Sequence, residues 1–140
     1  MPRIDYQHDG TEHEYEATTY TLVVYEHEFR DADGKPADLI KDVFGRIDTR
    51  MAARNFDDNG DVVAMDYTLD NWNAELKAFW AMLKTSSEIA RLEGRPHDAV
   101  PSFVEWCLRT RSIDLGQVSQ AVFDECHRGL FRDGAADSDE

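Results

Sequence analysis

The side chains that could do chemistry are five histidines, two cysteines and a large surplus of carboxylates. His27 stands between Glu26 and Glu28, a composition suited to general acid–base work. Sequence neighbours do not share a helix face, so a solvated face is the preferred reading, and a hydrolase built on His27 would require a concave pocket around it. His8 and His13 are close, but no third ligand stands at a recognisable spacing, which favours a surface role over a metal site. Cys107 and Cys126 lie in separate apolar-periodic segments and form neither a CxxC pair nor a metal spacing; they read as two buried thiols. The run Asp57-Asp58-Asn59-Gly60-Asp61 superficially suggests a calcium loop. Its glycine is misplaced and the distal glutamate is missing, so calcium is not expected. There is no GxxxxGK, GxGxxG, HExxH or GxSxG. In so acidic a chain, carboxylate pairs of the glycosidase kind can be drawn almost anywhere and carry no information. No cofactor, no metal and no enzymatic activity are expected.

Charge narrows the partners. Twenty-nine acids face 15 Lys and Arg, a formal charge of −14 over 140 residues. Such a surface repels phosphate backbones, so nucleic acid is not an expected partner. It keeps a chain soluble and favours basic partners. A chaperone that solubilises something fits, and so does an acidic mimic of DNA that inhibits a nucleic-acid-binding protein. The length is that of one domain with a core of its own. The opening residues do not read as a signal peptide, no run approaches a membrane span, and a cytoplasmic protein is expected.

The elements that would position these side chains centre on residues 68–84. Trp72, Leu76, Phe79, Trp80 and Leu83 recur at the spacing of a buried helical stripe. Asn73, Glu75, Lys77 and Lys84 take other faces, and Ala74, Ala78 and Ala81 supply helix propensity. Residues 1–17 are polar, with Asp9-Gly10 as a turn signal, and read as a flexible arm or a loosely attached strand. Residues 18–30 are ambiguous. Leu22, Tyr25 and Phe29 share a helical face, yet Thr-Leu-Val-Val-Tyr favours a strand.

Residues 31–37 read as a loop, after which Asp38 can cap a short helix ending at Gly45. Asn59-Gly60 signals a hairpin. Thr85-Ser86-Ser87-Glu88 restarts or continues a helix through Ile89 and Leu92, and 85–101 is the expected flexible joint. Ser102 with Glu105, and Asp114 with Gln117, mark two further helix starts. Leu115, Val118, Val122, Cys126 and Leu130 line the last helix, which Phe123 and Phe131 widen beyond one narrow face. The fold class is therefore mainly α: a compact helical domain over 18–132 with a small β-hairpin, a flexible arm at 1–17 and a disordered acidic tail at 133–140.

Four segments carry a family likeness: YTLVVYEHEF, DLIKDVFGRID, DYTLDNWNAELKAFWAMLKT and PSFVEWCL, followed by a closing helix. Together they resemble the tail assembly chaperones of long-tailed bacteriophages and prophages, over about residues 18–131. These are packing motifs and not a catalytic signature. The resemblance implies a chaperone of the host cytoplasm, absent from the mature virion, that binds the tape measure protein and keeps it soluble until the tail tube protein polymerises around it. It also implies self-association as a homo-oligomer. Aromatic anchors dominate interfaces, which nominates Tyr25, Phe29, Trp72, Trp106, Phe123 and Phe131 for partner binding. Phe79 and Trp80 read as core.

Overall fold

A computed structural model describes residues 2–31, 33–45 and 66–131. The order of elements is strand β1 (Arg3–Ile4), strand β2 (His13–Glu14), helix α1 (Thr19–Glu28), a π-helical turn (Lys41–Gly45), helix α2 (Asp66–Leu92), helix α3 (Phe103–Arg109) and helix α4 (Leu115–Leu130). Among the described residues the fold is mainly helical, with one two-stranded antiparallel sheet.

Helix α2 is the axis. It packs against α1, α3, α4, β2 and the π-helical turn. Phe79, Trp80 and Leu83 are buried as the periodicity requires, and so are Ala78, Ala81 and Met82. The alanines therefore do more than favour the helix: on an axis covered from several sides they let neighbours approach closely. Glu75, on a face other than the apolar stripe, is buried as well. It lies between helices, and burial pushes its carboxyl above the usual range while a hydrogen bond with Ser119 pulls the other way.

The segment expected as a flexible arm is packed. Ile4, Tyr6, Tyr15 and Ala17 are buried in the main core. Asp5 closes the turn by accepting from the Asp9 and Gly10 N–H groups at 3.0 and 2.9 Å, and Gly10 takes φ +89°, which a side chain would resist. Arg3 then pairs with Glu14 and Ile4 with His13. Two buried tyrosines and one isoleucine anchor the hairpin, because each large apolar group buried contributes roughly 1.5–3 kcal/mol. The turn expected at Asn59-Gly60 lies outside the described residues, as does the tail after Phe131.

The tie over residues 18–30 resolves as helix. Thr18 and Thr21 form a reciprocal cap, with the Thr18 N–H donating to Thr21 Oγ1 at 3.0 Å. At the π-helical turn, Asp38 accepts from the Lys41 N–H at 3.2 Å and Tyr25 donates its hydroxyl to Asp42 at 2.9 Å.

Residues 85–92 do not hinge; α2 runs through them to Leu92. Thr85 Oγ1 donates to the Ala81 carbonyl at 2.7 Å and meets Thr21 Oγ1 at 2.7 Å, locking α2 to α1. Ser102 and Asp114 cap α3 and α4 by accepting from the Glu105 and Gln117 N–H groups.

Candidate functional site

The structure separates the six aromatics that the sequence nominates for partner contact. Tyr25, Phe29 and Trp106 are buried. Phe29 lies in a nest of rings, 5.0 Å from Tyr25, 5.2 Å from Phe103 and 5.7 Å from Trp80. Trp106 donates its indole N–H to the Tyr6 hydroxyl at 3.1 Å. All three are buried and hold the domain together, because one compact core needs several large rings to fill it. The Trp72 side chain lies outside the described residues. Phe123 and Phe131 remain at the surface, 37% and 43% exposed.

Helix α4 sets these two apart. Val118, Ala121, Val122 and Cys126 face the core, with Glu125 among them accepting the Ala17 N–H at 3.0 Å. Arg128 pairs with that carboxylate, which keeps the buried charge satisfied. Phe123, His127 and Phe131 recur at four-residue intervals on a neighbouring face. Their rings step along the helix, with centroids 4.7 Å apart from Phe123 to His127 and 5.5 Å from His127 to Phe131. Phe44, from the π-helical turn, packs against all three at 5.4, 5.6 and 5.1 Å. His127 Nδ1 lies 3.0 Å from the Phe123 carbonyl, which orients the imidazole within the row.

The result is a four-ring surface row on an acidic protein. The sequence reading nominates neither Phe44 nor His127. The signal for His127 is the four-residue spacing it shares with Phe123 and Phe131. Phe44 joins only through tertiary folding, since it lies far from α4 along the chain and shares no local pattern with it.

The groups singled out for chemistry are dispersed. His27 is exposed on α1. His8 Nε2 lies 2.8 Å from Asp114 Oδ2, while the His13 ring packs 5.0 Å from that of Tyr6. Among the described residues no group of three or more His, Cys, Asp or Glu side chains is placed to hold a metal ion. Cys126 is buried as expected, but Cys107 is exposed: α3 is a single short layer, and its Cys107 side is left uncovered by the described residues. No helix among the described residues is long and apolar enough to cross a membrane.

The fold and this surface define a helical domain that presents a row of aromatic rings. Comparison with known protein families, with curated proteins and with solved structures finds no match for this chain.

Proposed function

We propose that this protein is a non-enzymatic tail assembly chaperone that holds a tape measure protein soluble and assists assembly of the tail tube. The observation that carries the reading is the row Phe44, Phe123, His127 and Phe131, two of whose phenylalanines are more than one-third exposed. An amphipathic helix docks its apolar face against such a row through contacts spaced at three to four residues. A charge of −14 keeps the carrier soluble while that surface is empty. The sequence likeness to tail assembly chaperones supplies the identity of the client.

Co-expression with the tape measure protein tests it. The client stays soluble with the native chain and precipitates with the double variant Phe123→Ser, Phe131→Ser, whose own fold is checked by its thermal transition. If the native chain leaves the client equally insoluble, the reading fails.

A further inference from the structure

Two of the most exposed large apolar side chains among the described residues sit together on α3. Val104 is 68% and Leu108 74% exposed, while Trp106 of the same helix is buried and Phe103 packs against the core. Val104 and Leu108 are four residues apart and share one face. Glu105 and Arg109 form the next row round the helix, also four residues apart, and pair with each other at the surface. The outer side of α3 is thus an apolar ridge with one negative and one positive group beside it.

Charge selects what can cover this ridge. Copies of a chain with a formal charge of −14 repel one another over most of their surface. The stretch that carries α3 is different: between Asp98 and Asp114 the one acid is Glu105, against Arg109 and Arg111. The face is also complementary to itself, which a two-fold contact requires because the same patch stands on both sides. Let two copies of α3 run antiparallel, with the two-fold axis at the level of Cys107. Glu105 and Arg109 each stand two residues from that level, about 3 Å along the helix, so Glu105 of each copy meets Arg109 of the other. The same rotation sets the two Leu108 side chains against each other, with a Val104 beside each.

We propose that α3 is a contact through which two copies of this chain associate, antiparallel about a two-fold axis, with Val104 and Leu108 as its seam and two Glu105–Arg109 pairs crossing it. Charge complementarity fixes the register, and burial of the ridge supplies the attraction. One short helix from each copy makes a small interface, so the pair is weak and depends on concentration. This contact rests on α3 alone, neither on the aromatic row nor on the chaperone reading, and failure of the co-expression test leaves it standing.

The test is sedimentation velocity of the full chain from about 10 μM to about 1 mM, where monomer should give way to dimer. Leu108→Asp, at a position already in water, should weaken association about tenfold or more. Glu105→Arg and Arg109→Glu each set like charges opposite one another across the axis and should weaken it similarly. An equimolar mixture of these two variants should associate as the native chain does, because each supplies the sign that the other lacks. That rescue cannot come from the pair within one helix, since mixing leaves the like charges on each chain unchanged. Amide spectra of the variants check that each is folded. The proposal is overturned if the native chain stays monomeric throughout, if Leu108→Asp associates as well as the native chain, or if the mixed charge variants stay apart.

Discussion

His8 Nε2 lies 2.8 Å from Asp114 Oδ2, joining the hairpin turn to the cap of α4 across 106 positions of chain. The neighbouring backbone repeats the link, with the Asp114 N–H donating to the Tyr6 carbonyl at 2.9 Å. The hydrogen bond with Asp114 raises the His8 pKa, and the same bond lowers that of Asp114. His8 therefore contributes stability fully below its unfolded value near 6.5 and loses it as pH rises through the higher folded value. Asp114 contributes above its unfolded value and loses it as pH falls through the lower folded one. The link is strongest between those limits, in mildly acidic solution. Both groups are exposed, so the effect is small and salt-sensitive. Proton NMR should find His8 titrating above an ordinary histidine, and Asp114→Asn, which keeps a capping oxygen, should move it back toward the ordinary value.

Close packing makes a sharper prediction at α4. A Cβ on Gly129 would lie 2.0 Å from the Ala17 carbonyl oxygen, whereas one on Gly116 meets nothing nearer than Asp114 Oδ1 at 3.7 Å. Gly129→Ala must push α4 from the segment that enters α1, at a cost of about 1–3 kcal/mol or more. Gly116→Ala removes a flexible residue from a helix and should stabilise by up to about 1 kcal/mol. Urea denaturation of the two variants should move the midpoint in opposite directions.

What can be read from the sequence follows from how local each cause is. The stripe through Phe79, Trp80 and Leu83 is a matter of spacing on one helix, and the Ser102 and Asp114 caps are a matter of adjacent residues, so both are legible. The Thr18–Thr21 cap is hidden because Thr21 stands where glutamate or glutamine is usual. The hairpin reads as a loose arm because its anchors, Ile4, Tyr6 and Tyr15, are scattered among polar residues and gain their hold only against α2 and α3. Thr85 has the local pattern of a helix restart; its meeting with Thr21, 64 positions away, is a tertiary fact. For the same reason spacing separates Phe123 and Phe131 from the core stripe, but does not reveal that Tyr25, Phe29 and Trp106 are enclosed.

Glu75 offers a test of electrostatics in the interior. Burial holds its carboxyl above the ordinary range, so the folded state keeps this proton longer than the unfolded chain. Stability from this group is present below the unfolded pKa and is lost as pH rises through the folded value. Glu75→Gln retains the hydrogen-bonding shape without the charge. At neutral pH it should stabilise by roughly 1 kcal/mol, the scale of a buried polar group, and the gain should vanish in acid. Denaturation curves at both pH values check the sign.

The two thiols should behave as opposites. Cys107 is exposed on α3, while Cys126 is buried in α4, where desolvation, with the Glu125 charge adding to it, pushes its pKa up to about 12. Thiolate is the reactive form, so Cys126 is protected twice, by enclosure and by protonation. A thiol reagent at mildly alkaline pH should label Cys107 promptly and Cys126 only as the domain opens. Cys107→Ser then leaves a chain whose labelling rate reports opening of the core. Because the folded pKa exceeds the unfolded one, stability falls as pH rises from the unfolded value toward the folded value, and Cys126 labelling should accelerate more steeply with pH than thiolate formation alone requires. Equal and immediate labelling of both cysteines would contradict the packing of α4 against α2.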